Sequence, residues 1–173
     1  IKYDNYTKIK YKTEKKLNKI FESSKVNFFI LRPALVYGIN VKGNLKKIET
    51  LANINLPLPL PFAYATEKKS FCSIHNLIKC INSILTNQIK SDKFLVCDDD
   101  YFSFRDILIQ AYKKKNKKII LFPVKLYVFK FIFYLIKKKE TYDSIFSRMI
   151  LDNSRAKKKL NLKFSHNLYN TMY

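Results

Sequence analysis

At 173 residues and 47% hydrophobic, the chain can bury one domain-sized core or a pair of interleaved subdomains. Its three cysteines, Cys72, Cys80 and Cys97, are odd in number and have no close paired spacing. With only His75 and His166 beside them, they exclude a disulfide framework and a zinc site, and they read as reduced, partly buried thiols of a cytoplasmic protein. The net charge of +21 invites a nucleic-acid reading through the basic runs at residues 113–118, 137–139 and 157–159, with 15% aromatic residues to stack on bases. Two of those runs stand where predicted helices end, however, and there cations complement the helix dipole and stay solvated. Lys, Ile, Asn, Phe and Tyr also rise together, as AT-rich coding alone would produce. A small basic protein that binds nucleic acid or an anionic membrane is the alternative against which the other motifs are weighed.

The first predicted element is a helix over residues 6–21, with Asp4 as N-cap and Ile9, Leu17, Ile20 and Phe21 as a stripe facing a core; Ser23-Ser24-Lys25 ends it. Tyr6 and Lys10 lie one turn apart on one face of it. A free phenol titrates near ~10, and ionising it at neutral pH asks for roughly 4 kcal/mol. One ammonium at about 4 Å supplies about that much at an effective dielectric near 20. Tyr11/Lys15, Tyr64/Lys68 and Tyr134/Lys138 share the spacing but not the context. Only Tyr6/Lys10 is followed by residues 26–31, apolar on both faces like a buried parallel strand, with Arg32-Pro33 stopping it. A helix ahead of such a strand presents its residues to a ligand at the carboxyl edge of a sheet.

Further along, residues 43–53 read as a helix and the alternating prolines of residues 56–61 as an extended connector. Residues 69–74 form a strand, and residues 75–85 a helix with Leu77, Ile78, Ile81 and Leu85 on one face. Residues 93–97 form another strand, after which Asp98-Asp99-Asp100 make a turn rather than a metal clamp. Ser103 caps a helix to Tyr112 that turns Ile107, Leu108 and Ala111 inward. Residues 119–136 approach a membrane-spanning length, but each of Lys125 and Lys130 costs roughly 2.5 to 3.5 kcal/mol near a bilayer centre. The segment is therefore divided into a strand over residues 118–122, a turn at Pro123 and a helix over residues 124–138, with peripheral attachment through Phe129, Phe133 and the lysines as the lesser alternative. Strands alternating with helices predict an α/β protein with parallel strands.

Tyr6 to Gly38 resembles the catalytic helix and following strand of the extended short-chain dehydrogenase/reductase family, the NAD-dependent nucleotide-sugar epimerases and dehydratases. Val41-Lys42-Gly43-Asn44 resembles that family's substrate-contacting loop, and Lys68 to Leu77 its Arg-Ser-Phe-Val-Tyr-Val-Asp-Asn-Leu segment. Phe94 to Asp98 resembles its last sheet strand, and Asp152 to Leu160 its terminal helix. The order of these motifs is their specific part. The resemblance implies the C-terminal portion of an NAD(P)-binding Rossmann-type fold with a small α/β substrate-binding lobe. Residues 1–40 and 74–100 would supply the dinucleotide-binding sheet, and residues 41–73 and 101–173 the lobe.

It also implies roles. Tyr6 is the general acid/base of a UDP-sugar 4-epimerase-like reaction, Lys10 holds the nicotinamide ribose and keeps Tyr6 acidic, and Pro33 lies near the nicotinamide. Asn44 and Lys69 face the substrate diphosphate, Lys69 replacing the usual Arg and so losing its bidentate grip. Pairing into a homodimer through the tyrosine-bearing helix is implied as well. Gly38 and Gly43 are the only glycines, so the chain holds no Gly-rich phosphate-binding turn. With Ile1 at its start it reads as a fragment, inactive alone, whose NAD or NADP binding needs an upstream half.

Overall fold

The computed structural model describes residues 5–38, 59–87 and 89–164, and for Asn5 and Tyr6 the backbone alone. The predicted helix over residues 43–53, and with it Asn44, lies outside the described residues, as does His166. In chain order the elements are helix α1 (Asn5–Phe21), strands β1 (Phe29–Pro33), β2 (Leu35–Tyr37) and β3 (Lys68–Ser73), helix α2 (Ile74–Thr86), strands β4 (Asp92–Val96) and β5 (Tyr101–Ser103), and helices α3 (Phe104–Lys114), α4 (Leu126–Leu135), α5 (Lys139–Phe146) and α6 (Ser154–Leu160). The fold is α/β with parallel strand pairs, as the alternation of patterns required. β1 pairs in parallel with β4, from Phe29 opposite Asp92 to Pro33 opposite Val96. β3 pairs in parallel with β2 along its second half and antiparallel with β5 along its first.

β1 begins later and ends later than its apolar run suggests. Arg32 and Pro33 continue the ladder instead of stopping it, because Ala34 donates its N–H to Val96 O at 2.9 Å. Donors alternate sides along a strand, so the missing N–H of Pro33 falls on the side away from β4 and breaks no bond to it. Burial is also less than a two-faced strand implies: only Ile30 of β1 is fully buried.

Helix starts are governed by local chemistry, and they follow the sequence closely. Ser103 accepts from Asp106 N at 3.1 Å while the Asp106 carboxylate accepts from Ser103 N at 2.8 Å, a capping box that begins α3. Ile107, Leu108, Ala111 and Tyr112 are then turned into a core formed with Tyr37, Phe71 and Phe102 of the β2–β3–β5 sheet. Ser73 likewise caps α2 through His75 N at 3.2 Å. Residues 118–122 contribute only an isolated bridge, Leu121 beside Leu60, before Pro123 and the shorter helix α4. No described helix is long and apolar enough to cross a membrane.

Two helices bury a face other than the one expected. Ile9 and Ile20 of α1 are 62% and 64% exposed; the half-buried positions are Glu14, Leu17, Asn18 and Phe21. In α2, Ile78, Ile81 and Leu85 are exposed while Asn76, Cys80 and Ser83 are buried. Specific polar partners set the rotation of α2: Asn76 donates to Asp98 at 2.7 Å and Ser83 Oγ to the Leu160 carbonyl at 2.9 Å. Unpaired burial of either polar group would cost about 1–3 kcal/mol, comparable with exposing an isoleucine.

α6 packs on α2 and β4, with Ala156 and Leu160 in a core shared with Cys72, Cys80, Phe94 and Val96. All three thiols are free and buried, and burial pushes Cys80 up to about 11 and Cys72 higher still, so neither is a nucleophile at neutral pH. Asp92, at the amino end of β4, accepts from Arg155 and Lys159 of α6. Burial pushes its carboxyl upward, but hydrogen bonds from Lys159, the Lys93 amide and Arg155 outweigh that and hold it below the ordinary value. A depressed carboxylate stabilises the fold above its unfolded pKa of about 3.9, and that contribution is lost as pH falls through the folded value. Asp92→Asn is therefore expected to lower Tm at neutral pH by an amount that shrinks as pH falls below the ordinary carboxylate value of about 3.9, read by thermal denaturation across pH.

Candidate active site

The carboxyl ends of β1 and β4 form the sheet edge where doubly wound α/β proteins bind ligands. α1 is fastened alongside β1 by two contacts that fix its direction. At its carboxyl end Phe21 stacks on Phe28, just before β1, with centroids 4.7 Å apart and planes at 10°. Seven residues earlier Glu14 takes a bidentate grip from Arg32, with Nε to Oε1 at 3.0 Å and a second bond from Nη2 to Oε2. Because residue 21 meets 28 and residue 14 meets 32, helix and strand run antiparallel. At about 1.5 Å per residue, Lys10 stands about 6 Å beyond the Glu14 level and Tyr6 about 12 Å, both towards or past the carboxyl edge. The ion pair is half solvated and contributes at most about 1 kcal/mol, so its effect is orientation more than stability. The guanidinium holds the Glu14 carboxyl below its ordinary value.

Lys10 is exposed, and Pro33 is exposed at the last position of β1. The structure thus brings α1, Lys10 and Pro33 to one end of one strand. Lys69 is elsewhere: only 4% exposed, it donates Nζ to the Asp143 carbonyl at 2.9 Å and to Ser147 Oγ at 3.0 Å, at the carboxyl end of α5. Burial lowers its pKa, against the opposing fields of Asp143 and Glu67.

Asp98, directly after β4, is a residue the sequence reading treated as part of a turn. It is buried and accepts from Tyr37 Oη at 2.5 Å, Ser73 N at 3.0 Å and Asn76 Nδ2 at 2.7 Å, while its own N–H donates to Phe71 O at 2.7 Å. One carboxylate thereby ties together the ends of β2, β3 and β4 and the first turn of α2, immediately under the carboxyl edge. Burial raises its pKa, opposed by the bonds from Tyr37, Ser73 and Asn76. Three successive aspartates gave no signal as to which one turns inward; the one available hint was Asn76, a polar residue on the first turn of a capped helix. Beside β2 the chain leaves through Gly38 at φ 147°, a conformation that a Cβ would strain.

Of two cavities among the described residues, one borders this edge and the other lies at the opposite end of the strands. One of about 350 Å³ is lined by Asp98, Asp99, Asp152 and Asn153, an acidic wall that repels a diphosphate. Another of about 490 Å³, between Phe21, Phe28, Ser91 and Arg155, opens at the amino edge of β1 and β4, the wrong end for a ligand in this architecture. Among the described residues no group of three or more His, Cys, Asp or Glu could hold a metal ion.

The carboxyl edge, Lys10 and Pro33 fit the nicotinamide-ribose end of a dinucleotide. With Gly38 and Gly43 as its only glycines, the sequence holds no Gly-rich motif of the kind that binds a dinucleotide pyrophosphate.

No family model matches the chain. A UDP-glucose 4-epimerase of Vibrio cholerae is 28% identical over 162 residues, which are 92% of this chain and 49% of that protein. Among solved structures, the UDP-glucuronic acid 4-epimerase of Bacillus cereus in complex with NAD superposes with a TM-score of 0.75 at 16% identity, covering 99% of this chain and 50% of that one. The UDP-glucose 4-epimerase of Thermotoga maritima with UDP-glucose gives 0.67 at 15% identity, over 96% and 50%. The fold is the C-terminal portion of a Rossmann-type fold, shared with about half the length of these epimerase structures. Sequence and fold thus both carry the resemblance to the C-terminal part of an extended short-chain dehydrogenase/reductase, and the chain spans about half the length of the relatives it matches.

Proposed function

We propose that this chain is the C-terminal, substrate-side part of an NAD(P)-dependent nucleotide-sugar epimerase or dehydratase, acting on a UDP-sugar when joined to a dinucleotide-binding half. The observation that carries the reading is the antiparallel clamp of α1 on β1, through Arg32–Glu14 and Phe21–Phe28, which sends the first turns of α1 past the carboxyl edge. On this reading Tyr6 exchanges a proton with a sugar hydroxyl, and Lys10 holds the nicotinamide ribose and keeps the phenol acidic. The dinucleotide, when bound, supplies the hydride acceptor. Pro33 offers the end of β1 as a surface that lacks an N–H donor. Asn44 and Lys69 meet the diphosphate, Lys69 by exchanging the Asp143 carbonyl for a phosphate oxygen, which attracts a desolvated ammonium more strongly than a neutral carbonyl does.

Residues 1–40 and 74–100 then belong to the dinucleotide-binding sheet and residues 41–73 and 101–173 to the substrate lobe, with α6 tying the end of the lobe back to β4. The exposed Ile9 and Ile20 of α1 suit pairing of two copies through that helix. The test is an assay of the chain within a polypeptide that also carries the dinucleotide-binding half, supplied with NAD and UDP-glucose and read by NMR of the sugar nucleotide. Conversion at C4 or loss of water is expected; an unaltered sugar across UDP-hexoses and UDP-hexuronic acids would remove the proposal.

A further inference from the structure

α4 is apolar all round. Of its ten residues, Leu-Tyr-Val-Phe-Lys-Phe-Ile-Phe-Tyr-Leu, only Lys130 is charged. The buried side is short: Phe129 packs with Ala65, Ile145 and Phe146, and Phe133 lies partly against them. This corrects the expectation that Phe129 and Phe133 face outward. At 100° per residue the opposite side carries Tyr127, Phe131, Tyr134 and Leu135, which are 67%, 62%, 76% and 61% exposed. A helix apolar on its outer side calls for a cover, and the charge around it says what kind. Lys125 precedes α4, Lys130 flanks the exposed face, and Lys137, Lys138 and Lys139 follow it; no Asp or Glu occurs in the sequence between Asp106 and Glu140.

We propose that this face of α4 docks in the plane of an anionic lipid surface, with Phe131 and Leu135 entering the acyl boundary, Tyr127 and Tyr134 at headgroup level, and the five lysines on lipid phosphates. The inference goes beyond the nucleotide-sugar reading and does not depend on it. At about 15 Å, α4 is half the length needed to span a bilayer, which leaves an in-plane position. Tyrosines flanking an apolar centre match the polarity gradient of an interface, where one end of the side chain is dry and the other wet. A second copy of the chain is a poorer cover, because lysines stand at both ends of α4 and pairing in either direction would set lysines of the two copies against one another. Bases could stack on the two tyrosines and Phe131, but nucleic acid offers nothing for Leu135.

The test is flotation of the 173-residue chain with vesicles of phosphatidylcholine alone and of phosphatidylcholine with phosphatidylserine. Binding is expected only to the second, and raised salt should weaken it. Phe131→Asp combined with Leu135→Asp, at exposed positions, should lower partition at least tenfold. Neutralising Lys137, Lys138 and Lys139 to Gln should lower it on the order of a hundredfold, at about 1 kcal/mol for each cation near the surface. The chain has no Trp, so Phe131→Trp is a single reporter that preserves the face, and its emission should shift to the blue on anionic vesicles. No flotation on either vesicle, flotation unchanged by the Phe131 and Leu135 substitutions, or a Trp at 131 that stays in water overturns the proposal. So does self-association, or capture of RNA, through this face in preference to lipid.

Discussion

On the proposed function, replacing Tyr6 by Phe is expected to reduce turnover of the chain joined to a dinucleotide-binding half by roughly 10²–10⁴-fold while leaving NAD affinity nearly unchanged, because the substitution removes one proton-transferring hydroxyl and little volume. The polypeptide to be measured carries this chain with its dinucleotide-binding half, and the readouts are kcat and a calorimetric NAD titration. Lys10→Met separates two ways in which the pair could act. If the ammonium lowers the phenol pKa, its removal returns Tyr6 towards the ordinary value near ~10, and the pH–rate profile moves to the alkaline side. If Lys10 only holds the ribose, NAD affinity falls and the profile stays in place. Wild-type turnover in Tyr6→Phe would take the proton-transfer role from this helix altogether.

The second large effect concerns Asp98. Asp98→Ala is expected to cost about 3–5 kcal/mol, since it takes the carboxylate away from the Tyr37 hydroxyl, the Ser73 amide and the Asn76 carboxamide in a site that holds all three fully buried. For a chain of this length that is a fall in Tm of roughly 10 °C or more. Asp98→Asn should cost no more than about 1–2 kcal/mol. Its oxygen can keep Ser73 and Asn76, and its NH2 can donate to Tyr37, whose hydroxyl rotates to accept. The two variants also differ in pH dependence. Because burial raises the folded pKa of Asp98, the folded state holds a proton that the unfolded chain releases above about pH 4. Its stabilising contribution is therefore full below that value and declines as pH rises through the folded pKa. Asp98→Asn should remove this decline. Equal losses for Ala and Asn, with no difference in pH profile, would mean that Asp98 fills space and nothing more.

Much of the fold is written locally. The capping box at Ser103 and Asp106, the Ser73 cap and the period of Ile107, Leu108 and Ala111 each act over a few residues, so their outcome is legible without a partner. The candidate site was legible in the same degree: a helix carrying Tyr6 and Lys10 and a parallel strand ending near Pro33 follow from spacing and hydropathy. Asp98 was not, because three consecutive carboxylates present the same pattern and only the positions of Tyr37, Ser73 and Asn76 distinguish the first from the others. The partners Lys69 takes in the fold were not legible for a related reason: the end of α5, more than 70 residues later, supplies a carbonyl and a hydroxyl to it.

What the sequence alone determined is where α1, α2, α3, β1, β3 and β4 lie, their order, and the resemblance that order carries, since these depend on caps, periods and turn residues in the immediate neighbourhood; β2, β5 and α5 carried no such local signal. The tertiary structure alone decided which side of α1, α2 and α4 is buried. Glu14 found Arg32 and left Ile9 and Ile20 in solvent, Asn76 and Ser83 found Asp98 and the Leu160 carbonyl and left Ile78 and Leu85 outside, and Phe129 turned inward while Phe131 and Leu135 turned out. The physical reason is that an apolar stripe gains about the same free energy against any apolar surface, whereas a buried hydrogen bond or ion pair has one partner at one place, and that place exists only once the chain has closed on itself.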